Sequence, residues 1–212
     1  MSSPRLRDAH RCQGDEGSVV AEFALCLPLI MVVLVGIFEF GFMFRQQIEF
    51  SNSVQAAARV GSHAGKARNA DQLALASLAM TLTGLPNTTV NKVWIYKSTN
   101  TDGTLPSTCN VNPASGGAGV NSVCNVYSWS QVQAAAAGTG FDLPTASTCG
   151  NSTFDRYWCP LNRADSIIAA GGPDQFGIQV EVTYRNMTKM IDSIGTRTMK
   201  ERATFRVEAL DR

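Results

Sequence analysis

Residues Ser18–Phe44 read SVVAEFALCLPLIMVVLVGIFEFGFMF, and within them Phe23–Phe38 holds no charged or strongly polar side chain. Glu22 and Glu39 alone interrupt the longer stretch. As a helix it spans roughly 40 Å, more than the ~30 Å hydrocarbon core of a bilayer. A buried core helix of this length would show a polar stripe, and none appears between Phe23 and Phe38. A removable signal peptide needs a small-x-small cleavage site after its apolar run. This run instead exits as EFGFMFRQQIEF, bulky and aromatic. The stretch is therefore expected to be an uncleaved transmembrane anchor, residues 18–44. Pro28 falls inside it and removes one backbone donor, a defect that membrane helices tolerate.

Orientation rests first on Arg5, Arg7 and Arg11 before the span against Arg45 and Arg59 after it, a modest vote for a cytoplasmic N-terminus. The cysteines add to that vote. Cys109, Cys124, Cys149 and Cys159 all lie beyond the anchor, an even set that predicts disulfides in an oxidising compartment. Three pairings are open, and the short loops favour Cys109–Cys124 with Cys149–Cys159. No C-x-x-C occurs and His63 is the sole histidine after the anchor, which argues against zinc.

After Arg45 the pattern stays helical, with Ile48, Phe50, Val54 and Ala57 recurring at short intervals, and predicts a stalk over 45–66. A second helix follows, with Asp71 as N-cap, LALASLAMTL as its body, and Gly84 and Pro86 as its stop. Strands are expected at 90–98 (VNKVWIYKS), 176–184 (FGIQVEVTY) and 203–210 (ATFRVEAL). The last two alternate apolar and polar residues, the pattern of a sheet with one face on a core and the other in water. Residues 99–175, rich in Gly, Ser, Thr and Asn, hold all four of these cysteines and predict a disulfide-stapled, irregular, solvent-facing insertion. Short helices are expected inside it at 129–137 and 164–170.

The expected fold class is α+β: a long N-terminal transmembrane and stalk helix packed at its outer end on a small antiparallel sheet. The exported domain would span 67–212. Charged residues are 17% of the chain and the net charge is +1, so no nucleic-acid partner is indicated. With two histidines, no H-E-x-x-H and no phosphate-cradling loop, neither an enzyme nor a cofactor is expected. Asp155, Asp165 and Asp174 read as solvated carboxylates in polar loops, and Glu39 as a boundary residue snorkelling to water.

One short motif carries more specific information. Gly17 is followed by SVVAEF, placing Glu22 five residues after the glycine and Phe23 directly behind it. This arrangement resembles type IV prepilins, and VVAEFALCLPLIMVVLVGIFEFG with QAAARVGSHA after it resembles the TadE-like minor pseudopilins of tight-adherence (Flp) pilus systems. The C-terminal VEVTYRNM and TMKERATFRVEA resemble the end of that family more loosely. The resemblance implies that residues 1–17 are a cytoplasmic leader, cut between Gly17 and Ser18 by a prepilin peptidase. It implies roles for Glu22 and Phe23 in processing and subunit packing. It further implies other pseudopilins, the major Flp pilin and an inner-membrane assembly platform as partners, with the body in the periplasm. The alternative is a single-pass tethered binding or adhesion module with no part in a pilus.

Overall fold

The computed structural model describes residues 16–100, 102–114, 117–145, 149, 152, 154–168, 171–185 and 196–208. Two compact units divide the chain, Met1–Phe42 and Met43–Arg212. Helix α1, Glu16–Ala64, contributes to both and carries Pro28 in its interior. The first unit is, in its described part, only this helix. Its apolar side chains from Val19 to Phe42 are mostly exposed, because the helix has no stripe that could distinguish a core side from a solvent side.

In the second unit, α1 does acquire such a stripe. Phe50, Val54, Ala57, Ala58 and Gly61 fall on one face at three- and four-residue spacing and are buried. Helix α2 (Ala70–Leu82) adds Ala74, Leu75, Leu78 and Leu82 to the same core. Asp71 is not its N-cap. Asn69 occupies that position without a side-chain capping bond, and Asp71 turns inward from the first turn to buried partners described below.

These helices cover one face of a five-stranded antiparallel sheet of order β2-β3-β1-β4-β5. The strands are β1 (Thr88–Ser98), β2 (Ala118–Val120), β3 (Cys124–Tyr127), β4 (Gln175–Arg185) and β5 (Thr196–Arg206). Val90, Val93 and Ile95 of β1 and Phe176, Ile178, Val180 and Val182 of β4 point into the helix-covered core. The architecture is α+β. The C-terminal strand begins seven residues earlier than expected and ends at Arg206, because the chain then leaves the ladder. Val207 N donates to Asp174 O (2.8 Å) and Glu208 N to Ser62 O (3.1 Å), so residues 207–208 are tied to a loop and to α1. Ala209 and Leu210 lie outside the described residues.

The insertion is not a solvent-facing appendage. It supplies β2, β3 and helix α3 (Trp129–Ala137), and it covers part of the second sheet face. Trp94 and Tyr96 of β1 point to that face, where Leu105, Cys109, Val111, Val120, Cys124 and Val126 pack around them. Trp94 Nε1 donates to Cys109 O (2.9 Å), and Tyr96 Oη to Gly103 O (2.7 Å). Both polar ends are thereby satisfied as the rings bury. Disulfides join Cys109 to Cys124 and Cys149 to Cys159. Helix α3 has the capping box that its sequence encodes: Ser128 Oγ accepts from Gln131 N, and Gln131 Oε1 accepts from Ser128 N. Residues 164–168 are not helical. Ala164 exchanges backbone and side-chain hydrogen bonds with Asp174 instead, at 2.8 and 2.9 Å, which leaves Ile167 and Ile168 exposed.

Gly61 sets the approach of α1 to the sheet. A Cβ there would overlap the buried ring of Phe176. Gly61→Ala gains about 1 kcal/mol of helix propensity, but overpacking against a fixed ring costs about 1–3 kcal/mol. A lower melting temperature of the body is expected, and an unchanged or higher one would refute the close-approach reading.

Candidate functional site

Two constellations stand out, one on the apolar helix and one buried in the body. On the helix, Gly17, Ser18, Glu22 and Phe23 occupy the first two turns. Ser18 Oγ donates to Glu22 Oε1 at 3.4 Å, one turn away. Phe23 is exposed beside it. Among the described residues, a Cβ at Gly17 would meet nothing within 4 Å. The leader expected at 1–17 falls almost wholly outside the described residues. Glu39 departs from the snorkelling expectation, since only 6% of its surface is exposed.

The apolar run remains bare. Its most apolar window has a mean hydropathy of 2.6 and no buried residue, and the helix is long and apolar enough to cross a membrane. Cys26 lies within it as a free, exposed thiol.

The body holds a polar hub that sequence patterning does not announce. Arg163 and Asp71, both fully buried, pair through Nη2 and Oδ1. The guanidinium lies over the rings of Trp158 (4.1 Å to the centroid) and Phe176 (5.1 Å). Asn125 donates to Asp71 Oδ2 and to Trp158 O, each at 3.0 Å, while its Oδ1 accepts from Tyr157 N and Trp158 N. Tyr127 Oη lies 2.9 Å from Asp71 Oδ2 and 2.8 Å from Asp155 Oδ1. Burial, reinforced by the charge of Asp71, pushes the Asp155 carboxyl well above its ordinary value. Burial and both neighbouring aspartates likewise raise the Tyr127 phenol. Asp155 is thus the opposite of the solvated carboxylate expected. Asp165 and Asp174 are also engaged, with Lys66 (2.8 Å) and Lys97 (2.7 Å) respectively.

The hub joins α2, β3 and the segment after Cys149. Its groups are sealed from solvent, so it can hold the fold together but cannot receive a substrate. An open groove of about 790 Å³ lies elsewhere, between the end of α1 and the end of β5. Arg59, His63, Ile167, Phe205 and Arg206 are among its lining residues. Ser62 and Glu208 also line it: Ser62 Oγ donates to the Arg59 carbonyl (3.0 Å), and His63 Nδ1 lies 2.8 Å from Glu208 Oε2. Among the described residues, no three His, Cys, Asp or Glu side chains come together as a metal site.

The entry motif agrees with an independent comparison. Residues 17–59 match the TadE-like protein family. No curated protein and no solved structure matches the chain. The TadE-like segment begins at Gly17 and takes in the whole bare apolar run and the first turns packed on the body. All five strands lie beyond the TadE-like match.

Proposed function

We propose that this protein is a minor pseudopilin-like structural or assembly component of a tight-adherence (Flp) pilus system. In this reading a prepilin peptidase removes residues 1–17 at the cytoplasmic face of the bacterial inner membrane. Residues 18–44 then anchor the chain in the bilayer, 45–66 form the stalk, and 67–212 form the periplasmic body. Other pseudopilins, the major Flp pilin and the inner-membrane assembly platform are the partners.

The observation that carries this reading is Glu22, placed one turn after Ser18 at the start of the exposed apolar run inside the TadE-like match. A carboxylate driven toward mid-bilayer costs about 2.5–3.5 kcal/mol on insertion scales. Cleavage after Gly17 would create a positive α-ammonium on Ser18, within reach of Glu22 on the same or a neighbouring subunit. The new helix N-terminus would also favour an anion in its opening turns. In this reading Gly17 is explained by the protease's need for a small residue at the cut.

N-terminal sequencing of the membrane-extracted protein should begin at Ser18, and Gly17→Trp should retain the leader and run as a larger band. A wild-type chain that keeps its leader would overturn the processing. Glu22→Ala separates the two classes of function: loss of pilus assembly supports a pilin-type subunit, whereas normal pili point to a tethered module.

A further inference from the structure

The Asp71–Tyr127–Asp155 group has more acceptors than protons. Tyr127 Oη stands at hydrogen-bond distance from an oxygen of each carboxyl, and all three residues are fully buried. A phenol has a single proton and donates it in one direction. With both carboxyls ionised, one anionic oxygen would face the lone pairs of the phenol in a fully buried site, a costly arrangement. An additional proton resolves it.

The partners determine where that proton sits. Asp71 accepts from Arg163 Nη2 and from Asn125 Nδ2, so it is the ionised member. Among the described residues the Asp155 carboxyl has the Tyr127 hydroxyl as its hydrogen-bond partner and no cation paired to it. We propose that Asp155 is held as the neutral acid, donating to Tyr127, which donates to Asp71, and that this one proton locks residues 154–163 onto the α2–β3 core. The relay runs Asp155 Oδ1–H to Tyr127 Oη–H to Asp71 Oδ2, ending on the Arg163 ion pair. Each bond polarises the next. On folding, the Asp155 carboxylate takes one proton from solvent, and no other group need change its charge.

Among the described residues, the titratable and charged groups facing the relay come from several elements. Asp71 comes from α2, Tyr127 from β3 and Arg163 from the turn after Pro160–Asn162, while Asp142 contributes from the segment after α3. Burial and the charges of Asp71 and Asp142 favour the neutral acid, while Tyr127 and Arg163 oppose it without prevailing. The folded state then binds one proton more than the unfolded chain, whose Asp155 titrates near 3.8. The contribution of the lock is complete below that value. It declines as pH rises from 3.8 to the higher value of the folded body, by up to about tenfold in the closing equilibrium per pH unit.

The test is hydrogen exchange of peptides spanning 154–163 in the full-length, oxidised protein in detergent micelles, corrected for intrinsic rates, between pH 5 and 8. Wild-type protection should fall with rising pH relative to Asp155→Asn, whose amide supplies a permanent donor to Tyr127. Asp155→Asn should keep its protection at pH 8. Parallel slopes in the two proteins would overturn the lock. Should Asp155→Asn fail to fold, infrared spectroscopy of the wild type decides. A protonated-carboxyl carbonyl band that shifts in Tyr127→Phe is expected at neutral pH, and the absence of such a band refutes the neutral acid.

Discussion

Arg163→Ala is expected to unfold or nearly unfold the body. The guanidinium is fully buried, stacked on Trp158 and Phe176, and paired with a carboxylate that is equally buried. Removing it leaves Asp71 with hydrogen bonds from neutral groups and no compensating cation. Breaking a buried pair from one side costs about 3–5 kcal/mol, a large part of the 5–15 kcal/mol that stabilises ordinary domains. The lost contacts to two aromatic rings add to the cost. Thermal unfolding and limited proteolysis of the full chain in micelles should both report the loss. Removing both charges in Asp71→Asn/Arg163→Met should recover much of the stability, because no isolated charge remains. An Arg163→Ala chain as stable as wild type would show that the hub contributes little to folding.

Removing the Cys109–Cys124 bridge as a double serine variant should cost about 3 kcal/mol, the chain-entropy value for a loop of about 15 residues. The consequence is local before it is global. The bridge holds the segment that covers Trp94 and Tyr96 on the second face of the sheet. Its loss should uncover Trp94, which now donates to Cys109 O and is 1% exposed. Quenching of tryptophan fluorescence by a soluble quencher should rise, together with a lower unfolding midpoint. The Cys149–Cys159 bridge closes a shorter loop, so its removal should cost slightly less. An unchanged midpoint and unchanged quenching in the Cys109/Cys124 variant would mean that packing alone holds the cover in place.

The parts of the molecule legible in sequence are those governed by neighbours along the chain. The apolar run declared its helix by composition and length. Residues 129–137 form the short helix expected there, and β4 was readable because it alternates. The Gly17–Ser18–Glu22–Phe23 motif was legible for the same reason, being contiguous on two helical turns. Asp71 misled for an instructive reason: an aspartate near a helix start resembles a cap, and only its distant partners Arg163, Asn125 and Tyr127 show it to be interior. Asp155 misled likewise, since its neighbours in sequence suggest a solvated loop while the folded chain buries it completely.

Sequence alone thus determined the bare membrane-length helix, its entry motif and the α+β character of the body, because hydrophobic periodicity and capping act over a few residues. Only the tertiary structure decided the strand order, the role of the cysteine-bearing segment as the cover of the second sheet face, and the buried hub. Those depend on contacts between residues tens of positions apart, such as Asp71 and Arg163, where burial rather than local pattern sets the charge and the partner of each group.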